Sequence, residues 1–416
     1  MQTVKLDERL FRSEADNGVT VMSELLPWVR SVAVGIWVSR ASAHEQRSKM
    51  GVSHLLEHMV FKGTERRSAR DIALELEVRG GSLDAYTSRD HTSFQARVLD
   101  EDLPRALDVL TDLVRNPALR ADDLDRERMV VLEEISSVQD TPDDLVFELH
   151  SQTMWPEHSY GYSVLGSKES VMGLSVDDLR ELHALSYHPG HVVIAAAGNV
   201  DHELFLKLLA KCGWFTFDNG PEPQPVPPVP PAVRTEKRVE RDGAQSHVVI
   251  GTDTFPFTDE RRHPLVVLNS VLGSGMSSTL FQRVREELGL AYAVYSYQSF
   301  YRETGLLGIY VGTHPSNVQQ ALEAIKAELS TLAAEGLTPD RLAEAQQQLK
   351  GQVTLSLESP SARMYRLATI ALFGEPYRTI DEVLVQIDAI TLDDVARVGQ
   401  EFLDPDRQTI VSLGPN

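Results

Sequence analysis

The chain has 416 residues and a mass of 46.3 kDa, which at roughly 100–200 residues per domain excludes one small domain and implies two or three. Its 42% hydrophobic and 24% charged residues exclude a disordered or collagen-like polymer, and 40 Lys and Arg against 61 Asp and Glu give a net charge of −21 that disfavours nucleic-acid phosphates and anionic lipid. The single cysteine, Cys212, excludes an internal disulfide and a thiolate-built zinc site, so any metal must be held by His and carboxylates.

In chain order, Met1 to Arg9 is polar, with no hydrophobic core or small-residue cleavage pattern of a signal peptide. No apolar run approaches the ~20 residues of a membrane helix, so a soluble, cytoplasmic protein is expected. Asn17-Gly18, between Phe11 and Val21, reads as a hairpin turn, and Ser31 to Trp37 as a buried strand. Met50 to Phe61 is rich in helix formers and carries His54, Glu57 and His58. On a helix the two histidines, at i and i+4, share a face, and Glu57 lies about 60° to the other side of His54. Paired imidazoles suit a zinc ion, and a neighbouring carboxylate can take a proton from water instead of binding metal. The order His-x-x-Glu-His inverts the zincin motif, and the third ligand such a centre needs must come from downstream.

Gly80-Gly81 introduces an alternating strand read from Ser82 to Arg97. Leu103, Leu107, Leu110 and Val114 form an amphipathic helical stripe. Asp125 to Ile135 is helical by pattern and places Glu127 and Glu134 seven residues apart, nearly eclipsed on one face, with Glu133 off that face. A serine-capped helix from Leu174 leads to Pro189 and the strand Val192 to Ala197. Pro221 to Pro231 holds seven prolines and reads as an extended spacer.

Beyond the spacer the pattern repeats. His247 to Asp253 follows Ser31 to Trp37 at an offset of 216, and Val318, Leu322, Ile325 and Leu329 copy the earlier stripe at 215. Ile390 to Val395, Pro405 and Gly414 copy the segment from Leu174 to Gly198 at 216. The chain is a tandem duplication of an α+β unit with too few β-α alternations for a doubly wound sheet. At the same offset Ser270, Gly273 and Ser274 stand opposite His54, Glu57 and His58, and Gln352 stands opposite Glu134 at 218, so one metal site per chain is expected. His91, His150, His188 and His191 have no metal-ligand spacing and are expected at surfaces or turns.

His54-Leu-Leu-Glu57-His58 followed by Glu127 and Glu134, the latter 76 residues beyond His58, resembles the pitrilysin-type (M16) inverzincin metallopeptidases, over the whole chain and most like short bacterial members akin to the mitochondrial processing peptidase β subunit. The resemblance implies two tandem homologous domains of the LuxS/processing-peptidase-like metallohydrolase type, each a mainly antiparallel sheet packed with helices. They are expected at residues 1–218 (zinc-binding, catalytic) and 234–416 (noncatalytic), joined by a proline-rich linker at 219–233. It further implies a zinc endopeptidase in which His54, His58 and Glu134 bind one Zn2+ per chain, Glu57 is the general base and Glu127 orients a ligand. Gly80 to Ser88 resembles the family's substrate-binding edge strand, with Asp84-Ala85 where many relatives carry Asn-Ala. Leu272 to Tyr292 resembles its glycine-containing helix start followed by an Arg-x6-Tyr pair, here Arg285 and Tyr292, whose donors would reach a substrate carbonyl from the second chain of a dimer. The implied substrate is a peptide or unfolded segment, in a chamber formed by a homodimer or by a heterodimer with a related chain. A noncatalytic peptide-binding or core-type subunit is the alternative.

Overall fold

The computed structural model describes residues 1–218, 220 and 225–415, so 219 and 221–224 of the expected linker lie outside the described residues. No helix among the described residues is long and apolar enough to cross a membrane. The chain forms two compact units, and neither is contiguous in sequence: one comprises Met1–Ile135, Ser163–Val226 and Ser356–Tyr377, the other Ser136–Tyr162, Pro227–Leu355 and Arg378–Asn416.

The first unit is built on seven strands: β1 (Gln2–Asp7), β2 (Leu10–Glu14), β3 (Thr20–Leu25), β4 (Ser31–Val38), β5 (Ser82–Thr87), β6 (Thr92–Leu99) and β7 (Val192–Gly198). Their order is β1-β2-β3-β7-β4-β6-β5, and only β3 and β7 are parallel. Asn17-Gly18 makes the hairpin turn between β2 and β3, with Gly18 at φ 90° where a side chain would be strained. The single strand expected from Ser82 to Arg97 is instead the β5–β6 hairpin. The polar run Ser88 to His91 closes it, with the Ser88 hydroxyl donating to the His91 carbonyl at 2.8 Å and accepting from the His91 amide at 3.1 Å.

Strand β4 is apolar from Val32 onward, where both its faces are buried. Val32, Val34, Ile36 and Val38 face a core that includes the helices Val52–Val60 and Leu103–Arg115. Ala33 and Trp37 face the opposite way, with Val193, Ala195 and Ala197 of β7, against Met364, Leu367, Ala368 and Leu372 of the helix Pro360–Phe373. The alanines on this face let that helix pack close to the sheet. Arg363 pairs with Glu24, and the Tyr377 hydroxyl donates to Asp7 at 3.1 Å.

The second unit has five strands: β8 (Glu236–Glu240), β9 (Ser246–Thr254), β10 (Ala291–Phe300), β11 (Gly305–Thr313) and β12 (Thr409–Gly414). Their order β10-β11-β9-β12-β8, with β8 and β12 parallel, reproduces β5-β6-β4-β7-β3. The duplication is thus visible in topology, and the β1–β2 hairpin is the first copy's addition. The capping also repeats: Ser175 with Asp178 opens Val176–Ser186, and Thr391 with Asp394 opens Leu392–Phe402, each as a reciprocal capping box.

One sheet face of this unit packs against the helix Pro142–Met154, where Val146 meets Val249, Tyr310, Val411 and Leu413. Each half of the chain therefore lends a helix to the other's sheet, and the compact units do not follow the proline-rich segment. An apolar sheet face must be covered, and helical periodicity in sequence does not say which sheet a helix will cover. The same packing corrects the expectation for one histidine: His150, on this helix, is fully buried, with Nε2 3.2 Å from the Thr409 carbonyl, whereas His188 and His191 lie at the turn before β7 as expected, although both are buried.

The loop after the helix Val52–Val60 is tied to Leu103–Arg115 by an ion-pair network centred on buried Arg67 and Asp112. Asp112, 1% exposed, accepts from Arg67 at 2.7 Å, Thr64 at 2.8 Å and Arg66 at 3.2 Å, and Arg67 also pairs with Asp108 and Glu75. Burial opposes ionisation of Asp112, but Arg67, Thr64 and Arg66 hold its carboxylate below the ordinary range. Because the folded-state pKa is depressed, the stabilisation is complete above about pH 4 and is lost as pH falls through the folded value. Asp112→Ala should cost about 3–5 kcal/mol at neutral pH, and less as the pH is lowered, in urea titrations run at several pH values.

Candidate metal centre

The helix Val52–Val60 starts after Gly51, whose φ of 90° favours glycine. Ser53 does not cap it. The buried Glu45 side chain does, accepting from the Gly51 amide at 2.7 Å and the Ser53 amide at 2.8 Å. Burial pushes the Glu45 carboxyl up to about 7 against these donors. Leu55, Leu56, Met59 and Val60 fix the helix in the core, leaving His54 and His58 on its less buried face.

The helix Ala121–Asp140 brings Glu134 to the two histidines. Its oxygens lie 3.6 Å from His54 Nε2 and 3.6 Å from His58 Nε2, and three such ligand atoms fall within 4.8 Å of one another. Among the described residues this is the His, Cys, Asp and Glu cluster that could hold a metal. Tetrahedral ligands at about 2.0–2.1 Å from zinc stand roughly 3.3 Å apart, close to this spacing. Burial, with His58 beside it, holds the His54 imidazole down to about 4 and therefore neutral, its lone pair free for a metal. Glu134 Oε2 is buried without a hydrogen-bond partner among the described residues, although it faces His54. A carboxylate oxygen and two imidazole nitrogens gathered at this spacing fit a divalent cation.

Glu127, one side of the same helix, is 6% exposed. Its Oε2 is 3.2 Å from His58 Nδ1 and its Oε1 is 2.7 Å from Lys62 Nζ. In the neutral ring, an Nδ1–H donated to Glu127 makes Nε2, which faces Glu134 at 3.6 Å, the lone-pair nitrogen. Glu133 is exposed, off this face. Glu57, 9% exposed, is not one of the three cluster residues but lies near enough to interact with the charges of His58 and Glu134, and it accepts from the Thr87 hydroxyl at 2.5 Å. Burial raises its carboxyl above the usual range, while the Thr87 bond works in the other direction.

Thr87 ends β5, which among the described residues pairs only with β6 and forms an edge of the sheet. Asp84 and Ala85 lie on this edge strand, and Asp84 Oδ1 accepts from the Ala85 amide at 2.9 Å. Alternation puts Ala85 on the Glu57 side with Thr87 and puts Asp84 on the other side with Tyr86. Sequence reasoning missed Glu45, Lys62 and Thr87. Of these, Lys62 had the clearest signal, one helical turn beyond His58.

In the second unit, Arg285 lies in a π-helical turn, Phe281–Glu287, that Gly289 ends at φ 61°. Tyr292 lies on β10, the edge strand equivalent to β5, and is 77% exposed. The Arg285 guanidinium sits 5.4 Å from the centre of the Tyr292 ring. Ser270 and Gly273 occupy the helix Arg262–Gly273, with Ser274 just beyond it. A Cβ on Gly273 would lie 2.3 Å from the Ser296 amide nitrogen, so this counterpart of Glu57 cannot carry a glutamate.

Residues 20–168 match the model described as insulinase (peptidase family M16), and residues 173–349 the model described as the peptidase M16 inactive domain. An uncharacterized zinc protease of Streptomyces coelicolor is 40% identical over 97% of this chain and 89% of its own length. The uncharacterized zinc protease YmxG of Bacillus subtilis is 39% identical over 95% and 96%. In fold, a protease from Helicobacter pylori is similar at a TM-score of 0.90 and 22% identity, over 98% of this chain and all of the other. A peptidase M16 inactive domain from Pseudomonas fluorescens is similar at 0.92 and 20%, over 98% of each.

Proposed function

Since the chain belongs to the insulinase (M16) peptidase family, we propose that it is a zinc-dependent endopeptidase hydrolysing peptides or unfolded segments, with His54, His58 and Glu134 as ligands of one Zn2+ and Glu57 as general base. The observation that carries this reading is the convergence of three metal-binding atoms within 4.8 Å beside a buried carboxylate that is not one of them. A binding module would have no need of that carboxylate. Zn2+ supplies Lewis acidity towards water and the scissile carbonyl. Glu57 takes the proton of the attacking water and returns it to the leaving amine. Glu127, steadied by Lys62, holds the His58 tautomer. Edge strand β5 receives the peptide as an added strand, so recognition rests on main-chain hydrogen bonds around Asp84 and Ala85.

Arg285 and Tyr292 form a donor pair for the substrate carbonyl, acting on the zinc site of a second chain in a homodimer. The exposure of Tyr292 and its contact with Arg285 support this role. The test is cleavage of a quenched fluorescent peptide together with elemental analysis. Activity should accompany about one Zn2+ per chain, vanish with a chelator and return on adding zinc; a remetallated protein that leaves the peptide intact defeats the reading. Glu127→Ala should weaken zinc binding by about 10- to 100-fold in a chelator competition, because His58 loses the partner that orients it.

A further inference from the structure

Resting on Glu57 as the base, we propose that Thr87 is its positioning residue and that it ties the base to the strand on which the peptide lies. Glu57 reaches the site from a helix by a flexible stem, and the plane of its carboxylate is a broad torsion that packing alone leaves free. The Thr87 hydroxyl donates to Glu57 Oε2 at 2.5 Å, in the range of a charge-assisted bond, and so fixes that plane and leaves Oε1 for the proton. Thr87 has one proton to give. Its 2.5 Å bond to Glu57 commits that proton, so in its 3.3 Å contact with Thr92 the Thr92 hydroxyl is the donor. Thr92, opposite Thr87 in the β5–β6 register and 1% exposed, thus anchors Thr87 from the sheet interior.

The consequence is geometric. Thr87 stands on the same edge strand as Ala85, two residues away and on the same side. A peptide paired with β5 is therefore registered by the strand that also holds the base, and a shift of that strand moves both together. The bond belongs to the reacting geometry and not to the docking contacts, which are main-chain.

The test is steady-state kinetics on zinc-loaded Thr87→Val and Thr87→Ser beside wild type and Glu57→Gln. Thr87→Val should lower kcat by about 10- to 100-fold, with KM within about twofold, zinc stoichiometry unchanged and the unfolding midpoint near that of wild type. Thr87→Ser, which keeps the donor, should restore kcat to within about threefold. A Thr87→Val enzyme with wild-type kcat overturns the assignment, and so does one whose loss lies in KM or whose loss serine fails to rescue. Those results leave the peptidase reading standing, provided Glu57→Gln is inactive; an active Glu57→Gln enzyme removes Glu57 as the base and the role of Thr87 with it.

Discussion

Glu57→Gln should lower the rate of peptide hydrolysis by about 10³-fold and leave zinc binding unchanged. The amide has the shape of the carboxylate and can still accept the Thr87 hydroxyl, so neither the helix nor the His54, His58 and Glu134 cluster is disturbed. What it loses is basicity, and a positioned general base contributes about 10²- to 10⁴-fold. Glu57 is not in the metal cluster, so elemental analysis of the variant should match wild type while its kcat collapses. Parallel loss of zinc would show that Glu57 is a ligand. Retention of activity would move the base elsewhere.

The second large effect is on folding. Leu367, fully buried, belongs to the last quarter of the sequence but packs with Trp37, Ala33 and Ala195 of the first unit's sheet. Leu367→Ala should destabilise the first unit by about 2–5 kcal/mol, because the removed methyl groups leave a cavity beneath a closely packed helix. Urea unfolding followed by tryptophan fluorescence would measure this. For the same reason a fragment ending at Val226 should lack a cooperative transition, since it carries the sheet but not Ser356–Tyr377. A fragment that unfolds cooperatively on its own would show that the borrowed helix is dispensable.

Much of the fold and the candidate site was legible because it follows local rules. Histidines at i and i+4 must share a helix face, and Glu127 and Glu134, two turns apart, must share another. The duplication was readable as spacing, and it reappears as one strand order used twice. The break at Ser88–His91 does carry a mark, because alternation stops in the polar run from Thr87 to Ser93, where Ser and Asp favour a turn, and a strand read straight from Ser82 to Arg97 passes over it. Glu45 and Thr87 act from a loop and a strand end, where no period singles out a polar side chain. The destination of Pro360–Phe373 was illegible for another reason: amphipathicity states that a helix needs an apolar partner, not which of two similar sheets provides it.

The borrowed helix also dictates a timetable for biosynthesis. About 130 residues separate Val226 from Ser356, and at roughly 5–20 residues per second a ribosome needs on the order of ten seconds to make them. Throughout that interval Trp37, Ala33 and Ala195 form a naked sticky surface on the nascent chain. The first unit can therefore complete its packing only once translation nears its end.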